Sequence, residues 1–267
     1  MNKPFSRKRI LVCGKGGCGK SSIISLMAHI LRDETYRVLV LDGDASNPGG
    51  VARLMFGSTQ GPKPLIRFFG GREKVECPVD DPAPLTRIND PVPITEKNID
   101  LAEIPPEYFM EKENILLFQV GKIEKFCEGC DGPMSKVTRD FIVKGQHVQL
   151  IDVEAGIEHF GRGVEQNVDL ILIVTDPTFE SLMIAGKITD LCSQMGKARA
   201  LVILNKGKTK EMESMMRGEL KKKKIKILGV VHFDDELVKS GLMGSQIRES
   251  KAKVDMKMII KKIAEIL

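Results

Sequence analysis

Gly14-Lys15-Gly16-Gly17-Cys18-Gly19-Lys20-Ser21 follows the apolar run Arg9–Cys13 and precedes the amphipathic stretch Lys20–Arg32. It fits G-x-x-x-x-G-K-[ST] in the strand-to-helix context that this motif requires. Glycines there let successive backbone N–H groups converge on phosphate oxygens, and the helix N-terminus adds the positive end of its dipole. Lys20 can reach the β- and γ-phosphates, and the Ser21 hydroxyl can ligate Mg²⁺. Residue usage alone would produce the pattern by chance in roughly one chain of this length per hundred.

Outward from this loop, short β-branched runs alternate with amphipathic stretches. Strands are expected at Arg9–Cys13, Arg37–Leu41, Ile115–Val120, His147–Ile151, Leu170–Val174, Ala200–Leu204 and Ile225–Val231. Helices are expected at Lys20–Arg32, Pro133–Val143, Phe179–Met195 and Lys208–Lys221. Continuous apolar strands with helices between them indicate an α/β fold: a doubly wound, mostly parallel sheet with helices on both faces, a three-layer sandwich. Residues 1–267 read as a single domain. A proline-rich insertion at about 58–106 breaks the alternation and is expected to be either ordered or a mobile flap.

Three strand ends carry polar groups, and strand C-termini face the ligand crevice in such sheets. Leu39-Val40-Leu41 leads to Asp42 and Asp44, one of which can hold or activate the attacking water. Val148-Gln149-Leu150-Ile151 leads to Asp152, the place of a carboxylate in a Mg²⁺ shell. Asn205 ends another strand, and its amide can both donate to and accept from an adenine edge. His159, beside Phe160, reads as a packing or hydrogen-bonding residue rather than a metal ligand.

The chain holds 41 Lys and Arg against 36 Asp and Glu, a net charge of +5, with 42% hydrophobic residues. This is the balance of a globular protein, and no apolar run approaches the ~18 residues a membrane helix needs. The basic start has too short an apolar part for a secretory signal, so a cytoplasmic protein is expected. Lys221 to Lys224 read as a solvated face, and with no Trp and two Tyr, base stacking is poorly supplied. Neither a nucleic-acid nor a membrane partner is expected. Val254–Leu267 carries an apolar stripe read as a closing helix on the sheet, with membrane docking as the alternative. Six cysteines in a reducing compartment stay free, and the close pair Cys127 and Cys130 suggests metal or redox chemistry. Cys13 and Cys192 read as core positions, and Cys18 as a small residue filling a tight loop.

The string GKGGCGKS resembles the deviant Walker A loop of the MinD/ParA/nitrogenase-iron-protein superfamily of dimeric ATPases. The resemblance implies that Gly14, Gly16, Gly17, Cys18, Gly19, Lys20, Ser21 and Ser22 hold ATP, with Asn205 at the adenine. It implies Mg²⁺ at Ser21, Asp42 and Asp152, water activation by Asp44, and a Lys15 that crosses a homodimer to the partner's nucleotide. Asp152 to Gly163, DVEAGIEHFGRG, and Gly121 to Met134 resemble CooC-type ATPases, which mature nickel enzymes such as carbon monoxide dehydrogenase and acetyl-CoA synthase. The pattern there is C-x-C; here Cys130 keeps the first cysteine, Gly132 replaces the second, and Cys127 makes the pair C-x-x-C. The implied function is an ATP-hydrolysing metallochaperone whose dimer holds nickel or zinc between Cys127 and Cys130 of two chains and delivers it to a client metalloenzyme. The alternatives are a carrier of a shared 4Fe–4S cluster or an ATP-gated reductase, and, further off, a MinD/ParA-type positioning ATPase.

Overall fold

The computed structural model describes residues 3–47, 49–196, 199–247 and 250–267. The strands are β1 Arg9–Gly14, β2 Val38–Asp42, β3 Thr86–Arg87, β4 Asp90–Pro93, β5 Phe109–Lys112, β6 Ile115–Gln119, β7 Val148–Asp152, β8 Leu170–Thr175, β9 Arg199–Gly207 and β10 Ile227–His232. The helices are α1 Lys20–Asp33, α2 Gly50–Phe56, α3 Leu65–Phe68, α4 Gly132–Asp140, α5 Glu158–Gly161, α6 Phe179–Met195, α7 Lys210–Lys222, α8 Asp235–Met243 and α9 Lys251–Ala264.

Eight strands form one sheet in the order β10-β9-β8-β1-β7-β2-β6-β5. Every pairing is parallel except that of β5 with β6. The strands are apolar without interruption because both faces are covered. Ile10 and Val12 enter one core with α1 and α9, while Leu11 and Cys13 enter the other with α4 and α6. Each expected strand is present, with its boundaries shifted by at most a few residues. β5 was not foreseen: it turns back from β6 through Glu113 and Asn114, with φ of 52° and 64°, a hairpin turn built without the glycine that usually marks one.

The proline-rich insertion is ordered. It supplies α3 and the small β3–β4 hairpin, and its Leu65, Ile66, Phe69, Val75, Leu85, Ile94, Ile99 and Ile104 are buried in the core beside α4. Backbone bonds from Ile66 to Val120 (2.9 Å) and from Ile99 to Ile142 (2.9 Å) attach it to the main body. The Leu85 amide donates to Asp140 Oδ2 on α4 at 2.8 Å.

The C-terminal stripe folds as α9, with Met256, Ile260 and Ile263 buried in the core. Its apolar face is thus occupied by the sheet, as the closing-helix reading expected. Among the described residues no helix is long and apolar enough to cross a membrane.

Candidate nucleotide site and cysteine loop

The parallel sheet brings the ends of β1, β2, β7 and β9 to one edge. Gly19 caps α1 with φ 102° and offers no side chain to the first helical turn, whereas α6, α7, α8 and α9 are capped by Thr178, Thr209, Asp234 and Ser250. The opening N–H groups of α1 are therefore left for an anion. A Cβ at Gly19 would lie 2.4 Å from Asn205 Nδ2, so both the backbone and the space demand glycine. Asn205 Nδ2 donates to the Cys18 carbonyl at 2.7 Å, and Lys206 Nζ to the Gly17 carbonyl at 2.5 Å. These bonds hold the loop to the end of β9.

Lys20 is buried on α1, and its charge acts on Asp152 against the effect of burial. Ser21 Oγ donates to Asp152 Oδ2 at 2.7 Å, while Asp152 Oδ1 is buried with no hydrogen-bond partner among the described residues. Burial first, then the neighbouring Asp42, pushes the Asp152 carboxyl up to about 7. An orphaned carboxylate oxygen beside a serine hydroxyl fits a hard divalent cation.

Asp42 is buried at the same end of the sheet. It lies opposite Asp152 in the β2–β7 register, but Lys122 Nζ binds its two oxygens at 2.9 and 3.0 Å, and the Val51 amide donates to Oδ2 at 3.2 Å. Those bonds tie Asp42 to Lys122 and to the backbone of Val51 in this structure. Asp44 is buried at the edge, where its Oδ1 accepts from Ser46 N (2.9 Å) and Ser46 Oγ (2.6 Å). Lys15 Nζ donates to Thr178 Oγ1 at 3.2 Å and lies 3.6 Å from Glu180, within its own chain.

Sequence reasoning missed Lys122 and a cavity of about 220 Å³ beside the phosphate loop. Gly19, Ser22 and Asn205 line that cavity together with Phe233, Asp234 and Leu237. The signal for Lys122 was its place just after β6, the neighbour of β2, where a buried Asp42 needs a cation. The wall from Phe233 to Leu237 follows β10 and is brought in only by the sheet order.

Cys127 and Cys130 lie exposed on the loop between β6 and α4. Glu128 ties that loop by accepting from the amides of Glu124 (2.6 Å) and Lys125 (2.9 Å). Asp131 forms an ion pair with Arg162, in the segment that follows Asp152. Glu154, in the same segment, is pushed up to about 7 by burial and by Asp131. Among the described residues no three His, Cys, Asp or Glu side chains gather as a metal cluster. His159 is buried against Glu165 and the Phe160 ring, in keeping with its reading as a packing or hydrogen-bonding residue. Burial raises the Cys18 thiol to about 11 and Cys192 to about 12, and Cys13 is fully buried, which suits space-filling thiols.

Residues 10–247 match the family model of the CobQ/CobB/MinD/ParA nucleotide binding domain. An ATP-binding protein of Methanocaldococcus jannaschii is 36% identical over 97% of this chain and 99% of its own length. The carbon monoxide dehydrogenase accessory protein CooC of Rhodospirillum rubrum is 31% identical over 74% of each chain. The septum site-determining protein MinD of Pyrococcus horikoshii, solved with Mg-ADP, superposes with a TM-score of 0.63 at 16% identity, covering 97% of this chain and 96% of that one.

Proposed function

Since the chain belongs to the CobQ/CobB/MinD/ParA nucleotide-binding family and is similar to CooC, we propose that it is an ATP-hydrolysing metallochaperone that closes as a homodimer around a soft metal ion. The observation that carries this reading is the Asp131–Arg162 ion pair. It joins the residue after Cys130 to the segment that leaves the nucleotide edge at Asp152, so a change in one loop reaches the other through a direct contact.

In this reading the amides of the Gly14–Ser22 loop and the start of α1 hold the phosphates. Lys20 compensates the β- and γ-phosphate charge. Ser21 and Asp152 hold Mg²⁺, which supplies further charge neutralisation at the phosphates when bound. Asp44 orients the attacking water as a general base. The adenine enters the cavity walled by Phe233 and Leu237. Asn205 gives one Nδ2 hydrogen to Cys18 and keeps its carbonyl oxygen for the exocyclic amine of the base. Lys15 leaves half-buried Thr178 and exposed Glu180 to reach the nucleotide of a second copy; its ion pair with exposed Glu180 holds it weakly.

The cargo is nickel or zinc, held by thiolates that include Cys130 and Cys127. Two thiolates half-fill a tetrahedral shell, and a two-fold axis supplies the same pair again. Hydrolysis reopens the dimer and frees the ion for a client metalloenzyme of the carbon monoxide dehydrogenase type. Sulfide analysis of an anaerobic preparation separates a bound ion from a 4Fe–4S cluster.

Sedimentation velocity with Mg-ATP and Mg-ADP, on wild type and Asp44→Asn, tests the reading. Wild type is expected to dimerise transiently with ATP and to return to monomer as phosphate is released. Asp44→Asn is expected to stay dimeric with unhydrolysed ATP. Monomers in both nucleotides for both proteins contradict the proposal.

A further inference from the structure

Cys77 belongs to the insertion and has no role in the reading above, yet its sulfur lies against the first residue of α4. A Cβ built on Gly132 would stand 2.6 Å from Cys77 Sγ, 2.8 Å from Cys77 Cβ and 3.3 Å from Cys130 Sγ. Both sulfurs therefore lie within 3.3 Å of one point, although the rest of the insertion, β5 and β6 separate them in sequence. Gly132 is not among the glycines with positive φ. Its backbone is open to any residue, so what requires glycine here is the room between the sulfurs.

The backbones that carry the two thiols are each held by hydrogen bonds. The Cys77 carbonyl accepts from the amides of Asp80 (3.0 Å) and Asp81 (2.9 Å), closing a tight turn. Asp81 is ion-paired with Lys136 on α4, and Lys136 Nζ also donates to the Asp81 carbonyl at 3.1 Å. The Cys130 carbonyl accepts from Arg72 Nη1 at 2.5 Å, and Arg72 lies 3.5 Å from Glu128. Cys130 is exposed and Cys77 half-buried, so an ion from solvent can enter between them.

We propose that Cys77 and Cys130 form a paired-thiol site for one soft divalent cation, with Gly132 providing the space. On binding, two S–H bonds break, two sulfur–metal bonds form and two protons pass to solvent; no electrons are exchanged. A zinc-type ion takes sulfur at about 2.3 Å, which sets two tetrahedral thiolates about 4 Å apart. Sulfurs within 3.3 Å of one point reach that spacing by side-chain rotation. Water completes the shell in the isolated chain, and a second copy's thiolates complete it in a closed dimer. The inference rests on the metal-carrying reading and gives Cys130 a partner other than Cys127. It also places the insertion at the cargo.

The test uses the full chain, reduced and free of nucleotide. Zn²⁺ affinity is read by competition with a chromophoric chelator, and Cd²⁺ reports thiolate ligation by its ultraviolet charge-transfer band. Cys77→Ser and Cys130→Ser are each expected to weaken binding about 100-fold and to reduce the band. Gly132→Ala retains every thiol but fills the space, and is expected to weaken binding about 10-fold while leaving ATP affinity unchanged. Wild-type binding by Cys77→Ser, with the loss falling on Cys127→Ser instead, overturns the inference and leaves the metal-carrying reading standing. Undiminished binding by Cys130→Ser overturns both.

Discussion

Asp42 shows how much one neighbour decides. Its place at the end of an apolar strand gives it the look of a metal ligand, and in this structure Lys122 meets both its oxygens in a buried ion pair. A charge at that depth requires its partner. Lys122→Met is expected to destabilise the fold by about 3–5 kcal/mol in chemical denaturation, because it strands the carboxylate. Adding Asp42→Asn should recover much of that loss; no recovery would mean that the lysine matters for packing alone. At the phosphate loop, Lys20→Ala is expected to weaken binding of a fluorescent ATP analogue by at least about 10-fold, since a charge-assisted contact to phosphate is lost. Lys20, Ser21 and Asp152 were legible because one motif and one strand end name them. Lys122 and Phe233 were not, because only the strand order brings them to the edge.

The elements follow the same division. β1, β2, β7 and β8 are buried on both faces and read as plain apolar runs, so their positions were visible. The insertion hid its core residues, because prolines interrupt it and Leu65, Leu85 and Ile99 follow neither a two-residue nor a helical period. Their burial makes the insertion part of the folding unit. Ile99→Ala is expected to cost about 2–5 kcal/mol and to lower the midpoint of a single unfolding transition. A separate early transition, with the main one unmoved, would show that the insertion folds apart. The Asp131–Arg162 pair is one contact between the cysteine loop and the segment after Asp152. Arg162→Ala should leave ATP binding and metal binding intact while reducing the effect of either on the other.

Across the whole molecule, the sheet edge sets a nucleotide site beside a loop of thiols, and neither is complete as a carrier alone. Among the described residues, Lys15 meets half-buried Thr178 and exposed Glu180 of its own chain, and the cysteines of one chain leave a tetrahedral ion short of ligands. In the proposed reading, a second copy resolves both shortages through one closing motion. Nucleotide and metal must then be linked, each changing the other's affinity by the same factor. The most direct measurement is a Ni²⁺ titration of the anaerobic full chain with Mg²⁺ and either a non-hydrolysable ATP analogue or ADP. The two affinities are expected to differ by at least about 10-fold, the scale of a 1.4 kcal/mol coupling. Equal Ni²⁺ affinity in both nucleotide states would contradict ATP-controlled metal carriage.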